Sequence, residues 1–203
     1  MTIDQNRQGN LFVVAGPSGV GKGTVIGALL KKVAGIKKSV SATTRQPRPG
    51  ERNGIDYFFK SQPQFQQMIK EHHLMEWAQF ADNFYGTPLN WVADELDSGT
   101  DVILEIDIQG AKQIHQHYPQ TTLIFLSPPS LSALENRLKN RATETAEKLA
   151  WRLNKAKEEM EQRHIFQYEI VNDSVEEAVN KLADIVYAKR VGRDCSSEPV
   201  SNE

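Results

Sequence analysis

The chain has 203 residues, a formal net charge of −2 and a single cysteine, Cys195. That length suits one domain carrying inserted parts, and the composition is that of an ordinary globular protein. The charge excludes a global basic field that would recruit nucleic acid or an anionic membrane, the lone cysteine excludes an internal disulfide, and no apolar run reaches membrane-spanning length. The first ten residues are polar and lack the apolar core of a signal peptide, so a reducing, cytoplasmic location is expected.

Leu11 to Ala15 is an unbroken apolar run, which predicts a buried parallel strand. Gly16, Pro17, Ser18, Gly19, Val20 and Gly21 follow, then Lys22, Gly23 and Thr24. Next, Val25, Ile26, Leu29, Leu30 and Val33 fall on one helical stripe. Strand, glycine-rich turn and helix is the context of a phosphate-binding loop. Its N–H groups and helix dipole converge on an anion, and Lys22 adds a full charge. The strict motif places Ser or Thr directly after the lysine; here that residue is Gly23.

A short extended segment is expected at residues 37–41. The stretch 41–59 carries Arg45, Arg48 and Arg52 among two prolines and two glycines. It predicts a structured loop leading into a strand over 57–59. Arg45, Arg48 and Tyr57 could converge on a phosphate, although a solvated basic loop satisfies the same pattern. Ser61 and Pro63 open a helix with Phe65, Met68 and Ile69 inward. Residues 74–80 read as a strand in which Glu76 shares a face with Leu74, Ala78 and Phe80. A carboxylate there needs a partner: a salt bridge, water at a strand edge, or the N–H donors of a ligand. Residues 83–87 read as a turn, with Thr87 capping a helix that starts at Pro88 and closes at Gly99.

Residues 101–108 predict a second buried strand with Glu105 and Asp107 near its C-terminal end. Ligands bind at that edge of open α/β sheets, and an acid beside a phosphate loop often orders Mg²⁺ through water; core-edge ion pairing is the other reading. A short helix over 110–117 and a third buried strand over 121–126 come next. Ser130 or Ser132 opens a further helix, on which Arg137 and Arg141 share one face. Residues 142–145 break the pattern. A long helix bearing Arg152 then runs to about residue 163, so the pair could close as a lid or stand as a solvated hairpin. A strand at 168–173, a last helix opened by Ser174, and a disordered tail complete the chain.

Taken in order, these residues resemble the guanylate kinases over about residues 10–190. The most specific part is Thr44, Arg45, Arg48, Glu51, Gly54, Tyr57 and Phe59. Glu76-Trp77, Tyr85-Gly86-Thr87, Glu105-Ile106-Asp107 and Arg137, Arg141 and Arg152 follow in the family's order. The resemblance implies an α/β, three-layer P-loop NTPase fold with a parallel central sheet, a mixed α+β nucleotide-monophosphate insertion and a helical lid. The divisions would be a P-loop core (10–40, 99–130 and 164–191), a GMP-binding subdomain (41–98), a lid region (131–163) and a tail (192–203).

By resemblance the chain transfers the γ-phosphoryl group of ATP to GMP, with dGMP as a further acceptor, in purine nucleotide metabolism. Ser41, Glu76, Thr87 and Asp107 would hold the guanine, and Arg45, Arg48, Tyr57 and Tyr85 its phosphate. Gly16 through Thr24 would hold ATP phosphates, with Asn172 near the adenine. Lys22, Arg45, Arg137, Arg141 and Arg152 would carry catalysis. The Gly23-Thr24 pair looks more like an adenylate kinase loop. Mg²⁺ is therefore expected to be held mainly by ATP and water, with Thr24 and, through water, Glu105 as the protein's candidates. ATP and GMP are the expected partners, without nucleic acid or membrane, in a monomer or homodimer. Two alternatives are a non-catalytic binding module and a kinase for another phosphorylated acceptor. The intact loop and arginines oppose the first; Glu76 and the arginine signature oppose the second.

Overall fold

A computed structural model describes residues 7–80, 82–139 and 146–192. In chain order the strands are β1 (Leu11–Ala15), β2 (Ile36–Lys38), β3 (Ala42–Thr43), β4 (Phe58–Phe59), β5 (Leu74–Phe80), β6 (Asn83–Pro88), β7 (Asp101–Glu105), β8 (Thr122–Ser127) and β9 (Tyr168–Val171). The helices are α1 (Lys22–Lys32), α2 (Gln62–Lys70), α3 (Leu89–Asp97), α4 (Ile108–His117), α5 (Leu131–Lys139), α6 (Ala146–Glu161) and α7 (Val175–Arg190).

The main sheet has the order β2-β7-β1-β8-β9, and every pairing in it is parallel. Parallel strands are covered on both faces, which is why β1 and β8 are buried at every residue. The alternation of side chains along β1 separates two cores. Phe12 and Val14 pack with Val25, Ile26 and Leu29 of α1 and Leu182 of α7. Leu11, Val13 and Ala15 pack with Val92 of α3 and Ala111 and Ile114 of α4. The result is three layers, with β1 central and its C-terminal end at the point where the strand order turns.

The second sheet has the order β4-β3-β6-β5 and lies beyond the C-terminal ends of the first. It corrects one expectation. Residues 83–88 are a strand, antiparallel to both β3 and β5, and not a turn. Asn83 and Gly86 are turn formers by propensity, but Gly86 serves a different purpose here. A Cβ at Gly86 would lie 2.8 Å from the Glu76 carbonyl oxygen, so the glycine permits the close approach of β5. Thr87 consequently caps nothing. Pro88 is the N-cap residue of α3, without a side-chain cap.

Other boundaries also move. The extended segment begins at Ile36 instead of residue 37. Strand β7 ends at Glu105, because Asp107 accepts the Gly110 N–H at 2.9 Å and caps α4. Ser130, not Ser132, receives the Ala133 N–H and opens α5. The long helix α6 ends at Glu161 and tightens into a 3₁₀ turn, Gln162–Ile165. Helices α5 and α6 pack on each other through Leu134, Leu138 and Ala156. The break at 142–145, Arg141, and tail residues 193–203 with Cys195 lie outside the described residues. Among the described residues no helix is long and apolar enough to cross a membrane.

Asp101, fully buried at the start of β7, ties the ends of the chain to the sheet. It accepts from Arg7 (2.5 Å), the Asn10 N–H (2.7 Å) and Arg190 at the end of α7 (2.7 Å). Removing it leaves two largely covered guanidinium groups facing each other. Asp101→Ala is expected to lower stability by about 3 kcal/mol, with Asp101→Asn losing less, as read from urea unfolding midpoints.

Candidate active site

The C-terminal ends of β1 and β7 and the inner face of the second sheet bound a cleft of about 290 Å³. Its floor is the loop between β1 and α1. Gly19 and Gly21 have φ of 90° and 101°, values that side-chain-bearing residues rarely adopt. Gly21 is the N-cap residue of α1 and provides no side-chain acceptor. The first N–H groups of α1 are thus left to an anion. Lys22 folds back over the loop and donates to the carbonyls of Gly16 (2.5 Å) and Pro17 (3.3 Å). Gly23 and Thr24 are exposed in the first turn.

Behind the loop, Asn172 is buried, and its amide donates to the Val20 carbonyl at 2.7 Å. Arg137 donates to the carbonyls of Asn172 (2.8 Å) and Val20 (3.3 Å). Both residues brace the loop from its flank in this structure.

At the other end of the cleft stands Glu76, 4% exposed. Its Oε1 accepts the Thr87 hydroxyl at 2.7 Å across the β5–β6 pair. The expected apolar face holds in part: Glu76, Ala78 and Phe80 line the cleft, while Trp77 and Gln79 are exposed. Leu74 does not share it, because a register shift between Leu74 and Glu76 breaks the alternation there. Burial, then the nearby charge of Asp107, push the Glu76 carboxyl up to about 7, against the pull of the Thr87 hydroxyl. Ser41 and Asp107 line the same end.

Between the two ends, the arginine loop is organised by its own acid. Glu51 accepts from Arg45 Nη2 (2.8 Å) and from the Arg48 N–H (2.8 Å). That hydrogen bond raises the Arg45 pKa and lowers that of Glu51. The Arg45 guanidinium lies 5.3 Å from the centre of the Tyr57 ring, and Tyr57 and Tyr85 meet edge to face at 6.2 Å. Both tyrosines line the cleft, and burial raises Tyr57. Arg48 is exposed.

The lid side contributes residues that sequence reasoning missed. From α6, Lys155 and Glu159 reach the cleft wall. The Lys155 ammonium lies 4.4 Å from the Phe80 ring centre, so α6 meets β5 across the opening. Burial raises the Glu159 pKa, opposed by the charges of Lys22 and Lys155 and by the nearby Ser18 N–H of the phosphate loop. Arg152 is half-buried on the same helix, three residues before Lys155. Lys38, also missed, pairs with Glu105 at 2.6 Å.

A family model described as guanylate kinase matches residues 8–189. The chain belongs to the guanylate kinase family. A guanylate kinase of Halalkalibacterium halodurans is 48% identical over 190 residues, covering 94% of this chain and 93% of the relative. One from Caldanaerobacter subterraneus is 46% identical over 184 residues, covering 91% and 89%. A crystal structure of guanylate kinase from Anaplasma phagocytophilum superposes with a TM-score of 0.75 at 31% identity, over 91% of this chain and 88% of that one. The three layers are thus those of the P-loop NTPase fold shared by guanylate kinases.

The state of Glu76 has a consequence for the empty protein. A carboxyl whose pKa is higher folded than unfolded binds its proton more tightly in the folded state. Its stabilising effect is complete below about pH 4.5 and is lost as pH rises to about 7. Above that, the buried charge costs on the order of 3 kcal/mol. Glu76→Gln is expected to match the parent's urea midpoint near pH 4.5 and to exceed it at pH 8.

Proposed function

We propose that the cleft brings ATP and GMP together from opposite ends and passes the γ-phosphoryl group of the first to the second, giving ADP and GDP. The observation that carries this reading is the pairing, in one cleft, of a glycine-rich anion-binding loop with a deeply buried carboxylate. Guanine presents N1–H and a 2-amino group to one carboxylate, whereas adenine presents an acceptor at N1. Glu76 facing adenine would be left unpaired and opposed. A site of this kind discriminates by roughly 10⁴. Guanine's donors also replace the environment that keeps Glu76 protonated, so binding and ionisation of Glu76 support each other.

Thr87 holds one carboxylate oxygen, while Ser41 and Asp107 complete the base pocket. Arg45, Tyr57 and Tyr85 take the GMP phosphate, with Glu51 keeping Arg45 aimed, and Arg48 joins them from the exposed part of its loop. The loop N–H groups and Lys22 take the ATP phosphates. Arg137 and Asn172 hold the loop in shape, and Arg152 adds positive charge from α6; the role expected of Arg141 falls outside the described residues. Phosphoryl transfer asks for in-line placement and neutralised charge more than for covalent chemistry. A phosphate oxygen of GMP is already anionic, so no general base is required. The second sheet (within residues 41–98) and the α5–α6 hairpin (within 131–163) would close on the substrates and exclude water as a competing acceptor.

Mg²⁺ fits the donor set found here. A Cβ at Gly23 would lie 3.3 Å from Glu105 Oε1, so Glu105 occupies the space in front of the residue that lacks a hydroxyl. In this structure Glu105 is paired with Lys38, so its second oxygen and Thr24 in the first turn are what the protein offers, which suits an ion that keeps mainly water and phosphate ligands. Bound there, Mg²⁺ would neutralise charge on the β- and γ-phosphates.

A coupled assay of ATP with GMP, AMP, UMP or no acceptor tests the assignment. GMP alone is expected to give rapid ADP release; equal turnover with AMP would overturn it. Glu76→Gln is expected to lower kcat/KM for GMP about 100-fold or more, from the loss of a charged acceptor for two donors. Lys22→Ala is expected to lose turnover by a similar factor while staying folded, since its ammonium bonds loop carbonyls and fills no core space.

A further inference from the structure

Strand β5 is an edge strand of its sheet, so main-chain groups on its outer side have no strand partner. At Trp77 that gap is filled by a side chain of the core. Gln113 of α4 donates its Nε2 to the Trp77 carbonyl at 2.7 Å and accepts the Trp77 N–H on Oε1 at 3.1 Å. The amide thus imitates the peptide unit of a missing neighbouring strand. The Trp77 N–H belongs to the peptide bond that leaves Glu76, so this clamp fixes the plane on which the Glu76 side chain is mounted.

The same helix meets the Glu76 carboxylate itself. A Cβ at Gly110 would lie 2.4 Å from Glu76 Oε2, and Gly110 in turn donates its N–H to Asp107. Asp107, Gly110 and Gln113 stand three residues apart, on one face of α4. On the other side of Glu76, Met75 is buried in the core cluster that contains Ile108, Ala111 and Ile114. Strand β5 is therefore held to α4 by apolar packing before Glu76 and by a two-bond polar clamp after it. Packing sets the distance between strand and helix. Only the directional amide sets how far along the helix the carboxylate sits.

We infer that Gln113 is a positioning residue for purine selection: through the main chain of Trp77 it holds the Glu76 carboxylate in the register that receives both guanine donors. This inference rests on the proposed role of Glu76. The clamp lies at the protein surface, beside an exposed Trp77, so the fold does not depend on it. Its loss should appear in acceptor selectivity and not in donor binding. The 2-amino group is the sensitive probe, because a carboxylate that has slid along α4 loses one of its two parallel bonds first.

The experiment compares the full-length parent, Gln113→Leu and Gln113→Glu with GMP and with IMP, which keeps N1–H but lacks the 2-amino group. Gln113→Leu keeps the bulk and removes both bonds. It is expected to raise KM for GMP about 10-fold and to lower the GMP-to-IMP ratio of kcat/KM by a similar factor, one well-formed bond's worth. KM for ATP should stay within about 2-fold, since the donor loop is untouched. Gln113→Glu can accept but not donate, and should fall between parent and Leu. An unchanged GMP-to-IMP ratio in Gln113→Leu, or a KM for ATP that rises equally, overturns the inference. If the Leu variant does not fold, an unchanged ratio in Gln113→Glu overturns it alone. Glu76→Gln in the same assay separates the two readings. If it collapses the ratio while Gln113 variants leave it intact, only the positioning role falls; if it also leaves the ratio intact, the base assignment falls and this inference with it.

Discussion

The second sheet is arranged around an acid placed where water scarcely reaches it. Glu76 has the Thr87 hydroxyl as a hydrogen-bond donor and a like-charged neighbour in Asp107. Burying a carboxylate in this way is unfavourable unless its remaining lone pairs find donors. The protein tolerates the group by holding it near its protonated form. The pairing of β5 with β6 supplies the hydroxyl, Gly110 leaves the space, and Gln113 fastens the strand. In the proposed function the remaining donors come from the ligand: two parallel N–H groups on one edge would complete the shell, and an unfavourable placement would become a selective one.

The other end of the cleft works by the opposite rule. There the exposed donors are main-chain N–H groups, and the cost is borne by glycines in a left-handed conformation. Such donors attract any anion. In the structure one lid carboxylate, Glu159, lies near Lys22 and the loop. Main-chain donors do not distinguish one phosphate from another, so in the proposed function selectivity rests with Glu76. The division is physically sensible: phosphates are alike in all nucleotides, whereas the purine edge is not.

What could be read from the chain follows from the range of the forces involved. The strand–loop–helix unit at residues 11–33 was legible because its signals are local: an apolar run, three glycines, then a 3.6-residue stripe. The face assignment of Glu76 was legible for the same reason, since alternation along a strand is local. Its partner was not. Thr87 looked like a helix cap because Ser, Thr and Pro mark helix starts by propensity. Its true role depends on β6 pairing with β5, a tertiary fact that overrides the turn signals of Asn83 and Gly86. The end of β7 was mistaken although a signal was present: Asp107 two residues past the strand is a good N-cap residue. Lys38, Lys155 and Glu159 are generic surface types in sequence. They reach the cleft only because β2 and α6, far apart in the chain, converge on it.

That convergence also explains why the two cores matter to the chemistry. The loop and α1 belong to the core on one face of β1, and α4 belongs to the core on the other. Strand β1 is the partition between them, fully buried and paired on both edges. Close-packed interiors transmit displacement and do not absorb it. The phosphate loop follows β1 and α4 follows the parallel β7, so both leave the same edge of one rigid sheet, and that sheet fixes the loop relative to the helix that clamps the strand of Glu76. Motion is left to the parts outside those cores, the α5–α6 hairpin and the remainder of the second sheet. A transfer reaction that tolerates errors of only a fraction of an ångström between two phosphates needs this separation of a stiff frame from movable walls.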